Sequence, residues 1–411
     1  MIAKEIPNGW RSFSKLTGGL RIWTWSLGIF LFTLVQDVLS WPILQFARVV
    51  SPIKNRDTSW VLVDAECYQI LGSGIYGLQS ETGCPGYIYG SPLLRTLNFL
   101  HLGQQDTIFL AYTMRALFVI SIALILNHLR IRLSAQFLLV TLLLLSPGVQ
   151  LMLYNSNFDL LIFAMVVFGY LAIVKEKITL GLILIFLSAI FKFYTIPLLL
   201  LFFILLPQVR YKVLSLLLFI CAVFSATFDL RLMQERIPSG GYAQFGITIF
   251  AKYFEQIGIY LSPNLSFLVS TLIFFIAITV VLFLCKMFKR SDKSGDVSCD
   301  RFYLVMATVF LSCFVTGLSY DPRLIYLTLA GFLVLRTMSS GLPRAVLTIL
   351  LFIASYLSCG IELGLIPESQ AGFHPLRVVQ LLNDVAIEIL AAMFVIQMIQ
   401  WFIQLFYRQP R

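Results

Sequence analysis

Apolar residues along this chain gather into long runs, and several run near or beyond the roughly 18 to 20 residues that a membrane-spanning helix needs, such as Val213 to Phe228 and Ser266 to Cys285. Segments of this kind fall near residues 22–46, 107–127, 134–153, 158–174, 178–191, 195–207, 212–228, 264–286, 302–319, 322–336, 344–361 and 379–406. The pattern predicts an all-α polytopic transmembrane bundle of about twelve spans. Two of the segments, 178–191 and 195–207, are too short to cross about 30 Å of hydrocarbon as straight helices. Lys192 and Pro197 lie where they meet, which predicts a helix pair that turns near the outer surface.

Composition sharpens this picture. The 411 residues are 59% apolar and 12% charged, against about 45 to 50% and about 25% in an ordinary soluble domain. The first basic residues, Lys4, Arg11, Lys15 and Arg21, precede a long apolar run without a small-residue cleavage site, the pattern of a retained signal anchor. The net charge of +10 is spread in short clusters between apolar runs, which is a topological signal and does not suggest nucleic acid. With a cytoplasmic N-terminus, 19 of the 30 Lys and Arg residues fall on inner segments although those are the shorter ones, so the positive-inside rule favours both termini in the cytoplasm.

That topology divides a single catalytic unit, residues 1–411, into functional regions. About 13 of the 20 acidic residues fall outside, chiefly in two extracytoplasmic loops, 47–106 and 229–263, where function is expected to reside. Residues 287–301 read as a polar cytoplasmic linker. There is no internal sequence repeat and no separate soluble domain. The seven cysteines contain no CxxC pair and the chain has three histidines, so a zinc centre is not expected. Cys67 and Cys84 share the first outer loop and are either a disulfide or two separate thiols; spacing does not choose between these.

Candidate chemistry concentrates in a few places. Asp64 and Glu66 project to one side if the backbone is extended, whereas on a helix Asp64 shares a face with Tyr68; without more they are solvated loop acids. Asn157 and Asp159 form a polar island between two spans, where Asn157 is also a good N-cap. Lys192 is either a snorkelling cation or a ligand for an anion. Arg323 begins a span on the outer side, two residues after Asp321, and is either a partner for Asp321 or a bidentate ligand for a phosphate. Arg115 and Asp37 sit within apolar spans, where ionisable groups cost about 2.5 to 3.5 kcal/mol, so they are expected to face the bundle interior and be paired.

Four stretches in order, Asp64-Ala65-Glu66 with Tyr68 and Tyr76; Tyr87-Ile88-Tyr89-Gly90-Ser91-Pro92; Asn157-Phe158-Asp159 leading through Gly181 to Phe191-Lys192-Phe193-Tyr194 and Pro197; and Thr316-Gly317 with Ser319 to Ile325, resemble the GT-C membrane glycosyltransferases, and more narrowly glycosyltransferase family 87. One departure is Pro322, where the family more often carries an aromatic residue between the Asp and the Arg. The resemblance implies a GT-C helix bundle whose extracytoplasmic loops form the active site. It implies inverting transfer of a hexose, mannose-like, from a polyprenyl-phosphate sugar to a glycolipid or glycan acceptor. Asp64 would be the general base with Glu66 beside it, and Lys192, Arg323 and Arg95 would bind the donor phosphate. Tyr68, Tyr87, Tyr89, Asn157, Asp159, Tyr320 and Asp321 would hold the substrates. No cofactor is expected, although a divalent ion at Asp64 and Glu66 is an option. The alternatives are a surface-polysaccharide polymerase or ligase, and a flippase or transporter of lipid-linked glycans.

Overall fold

The computed structural model describes residues 54–71, 84, 90–129, 135–233, 244–245, 261–285, 297–315, 319–320, 323–338, 341–356 and 375–407. Among these the protein is helical. The helices are α1 (Arg56–Leu71), α2 (Ser91–Phe99), α3 (Thr107–His128), α4 (Ala135–Leu144), α5 (Pro147–Tyr154), α6 (Asp159–Val174) and α7 (Ile178–Phe191), followed by α8 (Pro197–Leu205), α9 (Val209–Met233), α10 (Pro263–Cys285), α11 (Val297–Val315), α12 (Leu324–Thr337), α13 (Leu342–Tyr356) and α14 (Pro375–Tyr407). One short antiparallel pairing, β1 (Gln244–Phe245) with β2 (Ser319–Tyr320), sets Gln244 opposite Tyr320. It ties Gln244–Phe245 to the backbone just before Arg323.

Among the described residues, three stretches are long and apolar enough to cross a membrane: Gln104–His128, Val209–Asp229 and Leu381–Ile403. A fourth passes only as a pair, Pro147–Tyr154 with Asp159–Val174, bent by 106°. Five shorter apolar helices accompany them, among them Ile178–Phe191 and Leu324–Arg336. The chain is therefore a helical membrane protein, while twelve straight spans are not what its described residues display. Segment 22–46, with Asp37, lies outside the described residues.

Three sequence expectations change. Residues 134–153 are not one helix: the chain turns at Leu145 and Ser146, and Pro147, which has no N–H to give, opens α5 instead of continuing α4. Residues 47–106, expected as a loop, contain helices α1 and α2, which bury Leu62, Ala65, Leu93 and Leu94. Helix α11 begins at Val297, within the 287–301 segment expected as a polar linker.

Packing explains why α6 and α7 sit so close. A side chain on Gly169 would meet the carbonyl oxygen of Gly181 at 3.0 Å, and one on Gly181 would meet the Gly169 carbonyl at 2.6 Å. Two facing glycines let the backbones touch, as small residues do in membrane helix pairs. Behind them, aromatic rings fill the bundle core, with Phe163 against Phe118 and Tyr326, and Tyr170 against Phe302. On the other side, α14 buries Asn383, Asp384 and Glu388, and Asn383 donates its amide to the carbonyls of Ile353 and Ala354.

Candidate functional site

Two helix breaks create the site. The first is the elbow between α5 and α6, residues 155–158, where Ser156 adopts a left-handed backbone with φ 50°. Such a conformation costs about 1 to 3 kcal/mol in a residue other than glycine and persists only where its surroundings hold it. Here they do. Arg115, buried in α3, donates from Nε to Ser156 Oγ at 2.9 Å and from Nη2 to Asn55 Oδ1 at 2.8 Å and to the Tyr154 carbonyl at 3.1 Å. The N-terminus of α1 clamps the same elbow from the loop side: Asn55 N donates to Tyr154 O, Asp57 N to Asn155 O, and Thr58 Oγ1 to Ser156 O. The expectation that Arg115 faces the interior with partners holds for the oxygens named.

The second break lies between α7 and α8. Lys192 is extended, with φ −144° and ψ 115°, and Pro197 stands in the first turn of α8. Gly90, which precedes α2, donates its N–H to the Phe191 carbonyl at 3.0 Å. A Cβ at Gly90 would collide with the carbonyl oxygen of Ile190, so only glycine lets the first outer loop lie against this break.

The two breaks meet at Asp159, the first residue of α6 and 2% exposed. Lys192 Nζ lies 2.6 Å from its Oδ1, and Tyr194 OH donates to the same oxygen at 2.7 Å. Arg323 Nε stands 3.5 Å from Oδ2, with the guanidinium 4.8 Å from the centre of the Tyr194 ring. Asn157 bridges outward: its Oδ1 accepts from Asp159 N and its Nδ2 donates to Asp57 Oδ2 at 2.8 Å. Burial holds the Asp57 carboxyl above its ordinary range, against the opposing pull of Arg56, Asn157 and Lys192. Ionised groups this deep persist only when paired and hydrogen-bonded. Two cations share one carboxylate at Asp159, which leaves positive potential for an anion to meet, and Arg323 is the more open of the two cations, at 14% against 4%.

The structure resolves the backbone choice at Asp64 as helix. Asp57, Asp64 and Tyr68 then share one face of α1, spread over about 16 Å at 1.5 Å per residue, and Asp64 is 2% exposed. Glu66 points about 200° away from Asp64 around the helix and accepts the Gln104 N–H at 2.7 Å. One divalent ion shared by Asp64 and Glu66 needs both carboxylates on one side, so these residues do not fit a joint metal site. Among the described residues no group of three or more His, Cys, Asp or Glu is placed to hold a metal.

Arg95 is exposed on α2 and donates from Nε to Tyr68 OH at 3.2 Å, so it stands with Tyr68, whereas Lys192 and Arg323 stand with Asp159. The backbone N–H of Ser91, at the start of α2, donates to Asp229 Oδ2 at 2.8 Å, which links the end of α9 to the first loop. Cys67 and Cys84 are joined as a disulfide with their Cα atoms 6.5 Å apart. Tyr320 is described only through its backbone in β2, and Tyr76, Tyr87, Tyr89, Thr316, Gly317, Asp321 and Pro322 lie outside the described residues.

Sequence reasoning missed Asp57, the clamp residues Asn55 and Thr58, and Asp229, and gave Tyr194 no role. Asp57 carries a signal that was available: it precedes Asp64 by seven residues, two helical turns on one face. Asn155 to Ser156 reads as a turn in any case, and only the fold reveals what holds it. No protein-family model, curated protein or solved structure matches the chain.

Proposed function

We propose that the chain is an integral membrane glycosyltransferase of GT-C type, similar to family 87, that moves a mannose-like hexose from a polyprenyl-phosphate donor to an extracytoplasmic glycolipid or glycan acceptor. The observation that carries this reading is the Asp159–Lys192–Tyr194–Arg323 cluster at two helix breaks, with the N-terminal end of α1 clamped to the first of them through Asn55, Asp57 and Thr58. In the reaction an acceptor hydroxyl attacks the anomeric carbon and gives up its proton to the Asp64 carboxylate. The bond from that carbon to the phosphate oxygen breaks, and polyprenyl phosphate departs with the electron pair. A positioned carboxylate contributes about 10² to 10⁴ in rate as general base.

The charge that grows on the leaving phosphate meets Lys192 and Arg323, which are already oriented by Asp159 and need little rearrangement. Asn157 and Tyr320, with Tyr87, Tyr89 and Asp321, are the substrate-binding set, and Arg95 is a third cation paired with Tyr68. Glu66 shapes the Gln104 turn rather than acting beside Asp64. The full reading has about twelve spans in the cell membrane, both termini cytoplasmic and the site outside.

One observation favours a second reading. Irregular backbone with a buried ionic cluster between half-helices is also how transporters bind substrate, and the 106° elbow has that form. The experiment that separates them supplies polyprenyl-phosphate mannose and a membrane acceptor fraction to the purified protein in sealed vesicles. Formation of a mannosylated product and free polyprenyl phosphate supports the transferase. Movement of intact donor between leaflets without cleavage supports the transporter instead.

A further inference from the structure

Helices α1 and α2 meet along a seam at which the sugar-transfer reading uses only the Arg95–Tyr68 pair. Tyr68 and Gln69 at the end of α1 bond Arg95 and Asn98 of α2, the latter through Gln69 Nε2 donating to Asn98 Oδ1 at 3.2 Å. Beside this polar line the two helix ends expose large apolar side chains: Ile70 at 84%, Leu71, Phe99 at 82% and Leu100. Arg95 and Phe99 are one turn apart, so a cation and an aromatic ring share one exposed face of α2.

The position of this patch identifies what covers it. The span Gln104–His128 begins four residues after Leu100, and the Gln104 turn is fixed to α1 through Glu66. The apolar surface continues onto that span through Ile108 and Phe109, both exposed, where a candidate membrane span meets acyl chains. The seam therefore lies at headgroup depth, with its cation set to meet phosphate and its apolar side chains set to meet acyl chains.

We propose that the α1–α2 seam docks an anionic phospholipid of the adjoining leaflet, its headgroup phosphate at Arg95 and its acyl chains over Ile70, Leu71, Phe99 and Leu100. The lipid holds α1, and with it Asp64, at a fixed depth. Docking is independent of whether the chain transfers sugar.

The test uses the full chain in nanodiscs of equimolar phosphatidylcholine and phosphatidylglycerol, with the photoreactive residue p-benzoylphenylalanine replacing Phe99 and, separately, Phe224, an exposed residue of the span Val209–Asp229. On illumination the Phe99 probe is expected to capture phosphatidylglycerol about fivefold over phosphatidylcholine, the preference that one Arg near an anionic surface sustains. Arg95→Gln is expected to bring that ratio to parity. No lipid on the Phe99 probe while the Phe224 probe captures lipid would overturn the proposal, as would capture of a second copy of the chain or a ratio unchanged by Arg95→Gln. If the Phe99 substitution prevents folding, the same probe at Ile70 gives the same two readings.

Discussion

The Asp159 cluster and the α1–α2 seam are both polar sites on helix ends, yet they are built in opposite ways. At Asp159 the bonds from Lys192 and Tyr194 are buried, one carboxylate serves three side chains, and a strained elbow is held by Arg115 on one side and by α1 on the other. At the seam the hydrogen bonds are exposed and 3.2 Å each, against 2.6 and 2.7 Å from Lys192 and Tyr194 to Asp159. The first arrangement is costly to assemble and rigid once made, which suits stabilising charge as it develops on a leaving group. The second adapts to a surface that is itself fluid. Preorganisation and adaptability are thus placed in neighbouring parts of one loop-to-helix assembly, joined by α1.

That contrast is broken most severely at Asp159. Asp159→Ala leaves the buried Lys192 and the partly buried Arg323 without their shared carboxylate, and removing one member of a buried pair costs about 3 to 5 kcal/mol. Thermal unfolding in detergent is expected to show a large fall in midpoint, and an Asp159→Asn, Lys192→Met double variant is expected to recover much of it. A midpoint unchanged by Asp159→Ala would mean that the cluster is not as tightly buried as described.

Gly90→Ala tests whether the loop truly rests on the second break. The added methyl meets the Ile190 carbonyl, and overpacking of this kind costs about 1 to 3 kcal/mol. The same thermal assay reads it, and a loss below about 0.3 kcal/mol, far under that range, would detach α2 from Lys192.

A smaller effect is expected at Asp57. Because burial raises its folded carboxyl above the unfolded value, the folded state binds that proton more tightly. The resulting stabilisation is complete below the unfolded value of 3.8 and is lost as pH rises through the folded one. Asp57→Asn should flatten this fall in a pH series of unfolding midpoints; a fall of unchanged depth would assign the pH dependence to another group.

The least effect belongs to the seam. Tyr68→Phe removes one exposed hydrogen bond and should change stability by less than about 0.5 kcal/mol. A loss as large as that of Gly90→Ala would show that the seam carries the fold as the cluster does.

How far the sequence reveals this arrangement depends on the range of the forces involved. The apolar runs are local, so residues 158–174, 178–191 and 264–286 read within a few residues of α6, α7 and α10. Lys192 and Pro197 also mark their break locally. Ser146-Pro147 was a readable stop, but it was overridden by the apolar residues on both sides of it. The pairing of Asp159 with Lys192 and Arg323 is not local: it joins three helix ends far apart in sequence, which the polar island at 157–159 hinted at without naming its partners. Asp57 was hidden for a different reason. The sequence leaves extended and helical backbone both open around Asp64, and only a helical α1 aligns Asp57 with Asp64 and Tyr68 while turning Glu66 away. Cys67 and Cys84 had suitable surroundings for a disulfide, but the distance between them is a property of the fold alone.

The most direct test of the account is Asp64→Asn, which keeps the shape of the side chain and removes its ability to take a proton. Transfer of mannose from polyprenyl-phosphate mannose, measured in membranes with the variant at normal abundance, is expected to fall by about 10² or more while donor binding is retained through Lys192 and Arg323. Full turnover by that variant would contradict the assignment of Asp64 as the base.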